Sequence, residues 1–286
     1  MAAAVREAGA RLVVAGARLR DVCEAVEGEI RKRGVGAAFP AQTSVNAVAA
    51  HYCPSPEEET VYAHGDLAKL DIGVHVDGWV VDTAVTVNVG DLPANRPLVD
   101  AARAALERAL ALATPGVEIR RLSGAIEGTI ASFGLRPMRN LCGHGVGRWT
   151  VHSPPPIPNV PGDSGDRLLA GAVVAIEPFA TDGLGFVVED GAAEVFRLDP
   201  AREAEAIAAV PGSGVVDAMR AFHGLPFARR QLAAFPRKRV EEALATLGGC
   251  GALHGYAPLV EAGGRRVAQA EHTVYLGAHG AEVLTR

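Results

Sequence analysis

Four acidic residues and one histidine stand out for the kind of segment each occupies. Asp71 and Asp82 lie in LDIGVHVDGWVVDTAVTV, where Asp77-Gly78 is a two-residue hairpin signal between apolar, β-rich runs. That turn pairs Val76 with Trp79 and sets Gly73 opposite Asp82. Asp71, two residues from Gly73, then shares a face with Asp82 on a diagonal. Two carboxylates pointing the same way from an apolar hairpin are costly unless something positive sits between them. An arginine could serve; a divalent cation is the stronger reading. Glu177 ends the apolar run GAVVAIEP, Glu271 lies in the strand-like AQAEHTVYL, and His144 stands between glycines in LCGHGVGRWTVH. An ordinary ion pair or strand-end charge accounts for any one of these acids, but not easily for the set. Four carboxylates with one imidazole suit two hard or borderline divalent ions sharing bridging oxygens.

The same glycine-rich stretch places His152 eight residues after His144. Eight is an even spacing, so in an extended strand the two would share a side. Gly143, Gly145 and Gly147 argue against a helix there and allow close backbone approach. Taken alone, a glycine-rich turn with two incidental histidines fits as well.

Those side chains need a frame. Residues 16–34, GARLRDVCEAVEGEIRKRG, and 116–134, GVEIRRLSGAIEGTIASFG, match at a constant offset of 100, glycines included. Each copy has apolar residues at helical spacing, ends at a glycine suited to a C-cap, and follows an Ala-rich helical stretch near 2–14 or 97–113. Duplication explains this gapless match better than convergent helix composition. Each helix pair leads into β-like sequence, the hairpin in the first half and RLLAGAVVAIEPFA with GFVVED in the second. The proline-rich HSPPPIPNVPGDSG is loop or extended chain. Residues 200–252 are Ala-, Arg- and Glu-rich, have no counterpart in the first half, and read as a helical subdomain inserted into a single domain spanning 1–286. The expected class is α+β, with two pseudo-symmetric halves, sheet inside and helices outside.

Composition narrows the function. A chain that is 49% hydrophobic and 21% charged is globular. A net charge of −5 makes nucleic acid an unexpected partner. The four cysteines show no CxxC spacing, which points to reduced thiols in a cytoplasm. The charged N-terminal stretch is not a signal peptide, and no run reaches the length of a membrane span.

Taken in order, these segments resemble the methionine aminopeptidases of the pita-bread fold. The likeness is carried by FPAQTSVNAVAAHYCP at 39–54, the Asp71–Asp82 hairpin, GHGVGRWTVH at 143–152, AIEPFATDGLG at 175–185 and AQAEHT at 268–273. LPFARRQL at 225–232 and GYAPL at 255–259 look like the type II branch, marked by a helical insertion, and the lack of a long polar N-terminal extension looks archaeal. The resemblance implies a central curved antiparallel sheet flanked by helices. It implies that Asp71, Asp82, His144, Glu177 and Glu271 hold two divalent metal ions (Mn, Fe, Co or Zn), with Asp82 and Glu271 bridging. It makes His51 and His152 substrate-facing partners and places Phe39 and Tyr256 near the methionine pocket. The implied reaction is removal of the N-terminal methionine from nascent polypeptides, preferring a small second residue. Metal-activated water would attack the peptide carbonyl, with Glu177 passing its proton to the leaving amine and His51 and His152 bonding the substrate. The ribosome is a candidate partner, and a monomer is expected. A proline-directed pita-bread peptidase is the nearest rival, though it usually carries a large extra N-terminal domain. A non-catalytic homologue acting as an RNA- or protein-binding module is the rival of another class. Such relatives lose ligands and often gain basic tails; this sequence retains all five ligand residues. His64, His75, His223, His254, His272 and His279 are given no role, and Cys53 and Cys142 are expected to be packing thiols near the site.

Overall fold

The strand alternation of each half decides which residues the sheet buries and which it offers to a cavity. In the computed structural model, which describes residues 1–278 and 280–286, Leu67–Val76 and Trp79–Asn88 form a ten-residue antiparallel hairpin in the register expected, with Val76 opposite Trp79 and Gly73 opposite Asp82. His279 lies outside the described residues. Leu70, Ile72 and Val74 point to one side and pack under helices α1 (Ala2–Leu12) and α2 (Leu19–Lys32), against Val5, Cys23, Val26 and Ile30. Asp71 and Gly73, one residue out of phase, face the other way.

The second half repeats the arrangement. Val174 and Ile176 of strand Val173–Ile176, with Val274 and Leu276 of His272–Gly277, pack under α3 (Arg96–Leu110) and α4 (Ile119–Ser132). Burying one such aliphatic side chain contributes about 1.5–3 kcal/mol, so the helices fix which face each strand turns inward. Glu177 follows Ile176 directly and falls on the opposite face. The two helix entrances are built alike. Gly16 N donates to Tyr62 O at 2.8 Å and Leu19 N to Thr60 O at 3.0 Å; Gly116 N donates to Leu168 O at 2.7 Å and Ile119 N to Asp166 O at 2.9 Å.

Strands Gln42–Val45 and Gly36–Ala37 flank Leu67–Val76. The second-half sheet runs Gly280–Val283, His272–Gly277, Val173–Ile176, Cys142–Gly147, Thr150–Pro158. The proline-rich segment is thus partly an edge strand, a place where missing N–H groups cost no ladder bond. Lys69 is fully buried in the first-half sheet; its ammonium donates to Asn46 O at 2.8 Å and Leu67 O at 3.3 Å. Those bonds pin the turn before Val48–Ala50, the strand that leads into His51.

Within 200–252, helices α5 (Glu203–Ala209), α6 (Val215–Arg220) and α7 (Arg237–Gly249) gather around Val216, Met219, Phe227, Leu244 and Leu247. The short strand Phe227–Ala228 interrupts them and pairs with Val195–Leu198, a pairing the helical reading did not anticipate. Leu253–Tyr256 pairs with the other edge of Val195–Leu198 and carries Tyr256 back towards the sheet. Arg230 ties this segment to α2, its Nη1 donating to Glu27 Oε2 at 2.7 Å. No helix among the described residues is long and apolar enough to cross a membrane.

Candidate active site

Both halves turn their acidic faces into one cavity of about 470 Å³. All nine residues singled out from the sequence line it: Phe39, His51, Asp71, Asp82, His144, His152, Glu177, Tyr256 and Glu271. Asp71 and Asp82 come from the first-half hairpin, Glu177 from the end of Val173–Ile176, and His144 from Cys142–Gly147. Glu271 sits in a break between Val267–Gln269 and His272–Gly277 rather than inside a strand. The break leaves His272 on the far side of the sheet, with Nδ1 2.8 Å from Thr285 Oγ1.

His144 and His152 meet in a way their spacing did not foretell. They do not share a strand. Cys142–Gly147 and Thr150–Pro158 form a hairpin turned at Arg148-Trp149, with Trp149 at φ 56°. The two rings lie across it, centroids 4.4 Å apart and nearly perpendicular. Gly145 is what lets the strands close here: a Cβ on it would stand 2.3 Å from Pro154 O. Gly73, opposite Asp82, plays the matching part under Phe39, whose ring carbon would lie 2.3 Å from an added Cβ.

The ligand atoms of Asp82, His144 and Glu271 all lie within 4.8 Å of one another. His144 Nε2 is 3.5 Å from Glu177 Oε1 and 3.8 Å from Asp82 Oδ2. Its Nδ1 lies 3.2 Å from Gly145 O. A proton on Nδ1, donated to that carbonyl, leaves the Nε2 lone pair directed at the carboxylates, the tautomer a metal ligand needs. Gln269 Nε2 reaches 3.4 Å to both Glu177 Oε2 and Glu271 Oε2, so it spaces those two side chains.

The electrostatics are those of acids crowded together away from water. Burial pushes Asp71 up to about 7 and raises Asp82, Glu177 and Glu271 well above the usual carboxylate range. Burial also lowers His144 to about 3, so the imidazole is neutral and available as a ligand. Asp71 Oδ1, Asp82 Oδ1 and Glu271 Oε1 are buried with no hydrogen-bond partner. A buried carboxylate oxygen without a donor is expensive, and four oxygen-donor side chains plus one imidazole suit a hard or borderline divalent ion. The residues therefore fit a metal.

The rest of the wall is mostly apolar or aromatic, with Gln42, Asn140 and Glu189 as exceptions. His51 leaves strand Val48–Ala50 with φ 65°, a conformation that costs a non-glycine residue energy and aims its ring into the cavity. Burial lowers it to about 4. Its ring meets Tyr256 edge-on at 5.5 Å, and Tyr256 lies 6.4 Å from His152. Phe39 and Phe179 are almost fully buried. Cys142 lies on the cavity wall, while Cys53 is buried behind it, its Sγ 3.8 Å from Arg230. Sequence reasoning missed several neighbours: Gln42, which is paired with Asp71 across the strands, Gln269, and His254, whose ring packs at 4.5 Å on Tyr256. Gln269 stands two residues before Glu271 in a stretch that reads as a strand from the sequence, and that spacing was the available signal.

Comparison with known proteins agrees with this geometry. Residues 1–216 match the family described as metallopeptidase family M24. The chain is 43% identical over 280 residues to a methionine aminopeptidase of Thermococcus onnurineus, covering 96% of this chain and 92% of that protein. It is 40% identical over 283 residues to one of Methanothermobacter thermautotrophicus, covering 98% and 94%. The crystal structure of a methionine aminopeptidase from Thermotoga maritima superposes with a TM-score of 0.72 at 26% identity, over 100% of this chain and 92% of that one.

Proposed function

Because the chain belongs to metallopeptidase family M24, we propose that the cavity performs metal-dependent removal of N-terminal methionine from polypeptides, nascent chains above all. The observation that carries this reading is the set of buried carboxylate oxygens left without partners between the two halves. Asp71, Asp82, His144, Glu177 and Glu271 would hold two divalent ions (Mn, Fe, Co or Zn). When bound, such ions supply an activated water and polarise the scissile carbonyl.

The chain's own residues account for the rest. Glu177, held beside His144 and Gln269, is placed to accept the water's proton and return it to the leaving amine. His51 and His152 are neutral at neutral pH, because burial lowers both. A neutral imidazole can still donate an N–H to the carbonyl oxygen or to the next peptide group as charge develops. Phe39 offers apolar surface to a methionine side chain, which gains burial energy and needs no hydrogen bond. Tyr256 closes the wall beside both histidines. Crowding beside His152, where the chain continues into Pro154–Pro156, would favour a small second residue. Residues 200–252 act as an inserted helical subdomain of one catalytic domain, and the working unit is a monomer acting on N-termini as they leave the ribosome.

Peptide hydrolysis at equal metal loading tests the reading. Met-Ala-Ser should react fastest and Met-Leu-Ser roughly a hundredfold more slowly in kcat/KM, the effect of about 3 kcal/mol of overlap in the transition state. Faster cleavage of Leu-Ala-Ser than Met-Ala-Ser would reject methionine as the preferred residue. Faster release of Ala from Ala-Pro-Ser would favour a proline-directed peptidase.

A further inference from the structure

The two halves meet where Asp82 faces Glu271, and among the described residues no continuous ladder joins them there. Strand Trp79–Asn88 and segment 267–277 share one isolated bridge, Val85 with Ala270, and one bond from Glu271 N to Ala84 O at 3.1 Å. Threonine hydroxyls do the joining. Thr273 Oγ1 donates to Asp82 O at 2.7 Å and accepts from Asp82 N at 2.7 Å, taking up both backbone groups of that residue. Thr83 Oγ1 donates to Glu271 O at 2.9 Å and accepts from Arg6 Nη1 at 2.7 Å. Thr86 Oγ1 treats Gln269 in the same double fashion, at 2.7 and 2.8 Å. Thr83 and Thr273 are fully buried. From behind, Arg6 of α1 donates to Thr285 O at 2.9 Å, and Thr285 Oγ1 accepts from Thr273 N at 3.1 Å. Residues near both ends of the chain thus close on the same few atoms.

A hydroxyl can do here what a strand cannot. A backbone ladder would hold segment 267–277 in unbroken register, with alternate residues facing the cavity. Bonding through side chains lets the chain break at Glu271 and still gives partners to both backbone groups of Asp82 and of Gln269 and to the Glu271 carbonyl. The separation of the Asp82 and Glu271 backbones is then set by two short reciprocal contacts. We propose that Thr273 and Thr83 are positioning residues that fix the distance between the Asp82 and Glu271 carboxylates, and so the affinity of the site they share for divalent metal. The proposal rests on the metal-centre reading above.

Calorimetric titration of Mn²⁺ into the metal-free full-length protein tests it. Thr273→Val keeps the side-chain shape but leaves the Asp82 N–H and C=O without partners; Kd should rise roughly tenfold to a hundredfold, the range typical of lost outer contacts to metal ligands. Turnover of Met-Ala-Ser should fall through kcat with KM little changed, and Thr273→Ser should restore both. Thr83→Val, which removes one backbone bond rather than two, should shift Kd in the same direction by less. Thr181→Val is the control. Thr181 is equally buried and its hydroxyl bonds Arg266 O at 2.7 Å and Gly183 N at 2.9 Å, but it bonds neither Asp82 nor Glu271. It should lower the melting temperature and leave Kd alone. If Thr273→Val also melts lower yet binds Mn²⁺ as tightly as wild type, the clasp is merely structural and the proposal is overturned alone. Wild-type protein that takes up no Mn²⁺ would overturn the metal reading and the clasp together.

Discussion

Two of the places where this fold buries acidic side chains are balanced in opposite ways. Glu27 of α2 accepts from both terminal nitrogens of Arg230 and from Ala41 N at 3.0 Å, so neither carboxylate oxygen lacks a donor. That pair joins the inserted helical segment to the first half, over 200 residues away in sequence. Across the sheet, Asp71, Asp82, Glu177 and Glu271 converge with a neutral imidazole and, among the described residues, no arginine or lysine lines their cavity. Three of their oxygens have no partner. A fold that supplies a guanidinium to one buried acid could supply another, but at the cavity it does not. The difference separates a charge kept for architecture from a cluster kept for binding a cation.

Removing a ligand should separate the two groups most sharply. Asp82→Asn should lower turnover by about a thousandfold or more, equivalent to about 4 kcal/mol of transition-state stabilisation. The same variant should melt higher than wild type when both are metal-free, because the amide is neutral without the cost of holding a proton on a buried carboxyl. A metal-free Asp82→Asn protein that melts lower would place Asp82 with Glu27, as an acid the fold needs. At the ion pair the sign reverses. Arg230→Met leaves Glu27 buried and unpaired, at a cost of about 3–5 kcal/mol of stability in denaturant unfolding, while Mn²⁺ affinity stays at the wild-type value. Pairing it with Glu27→Leu should recover most of that loss.

The smallest effect is a slope with pH. In metal-free protein the raised carboxylates hold protons that the unfolded chain has already released above about pH 4. Their contribution to stability is therefore lost as pH rises, through about 7 for Asp71 and higher for the other three. The lowered histidines act in the opposite sense. With His51 near 4 and His144 near 3, the unfolded chain takes up more protons below about pH 6.5, so their term falls away as pH drops. Above pH 6.5 the histidine contribution is gone, and the falling contribution of the four carboxylates outweighs the opposing one of Lys69, which burial lowers. Calorimetric scans from pH 6.5 to 8 should show the metal-free melting temperature falling, and saturating Mn²⁺ should flatten the decline. A metal-free protein whose stability stays level over that interval would mean the cluster is already compensated.

The sequence made the first-half site legible because two strong signals coincide there. Asp77-Gly78 sets the turn, alternation of Leu70, Ile72 and Val74 sets the buried face, and together they put Asp71 and Asp82 on the other side. The duplicated helices were legible because their glycines recur at one offset. The His144 hairpin was not, since Arg148-Trp149 carries none of the residues that favour a positive φ. Phe227–Ala228 is too short to show a strand period amid helical composition. The threonine clasp was invisible for another reason. It joins residues 183 to 191 positions apart, and no local pattern distinguishes a threonine that packs from one that bonds a distant backbone.

Anomalous diffraction at the manganese edge, from crystals of the wild-type protein soaked in Mn²⁺, addresses the unbalanced carboxylates most directly. Two peaks are expected inside the cavity, both among Asp71, Asp82, His144, Glu177 and Glu271. A cavity free of anomalous density at saturating Mn²⁺, in crystals whose Glu27–Arg230 pair is intact, would contradict the assignment of this cluster as a metal centre.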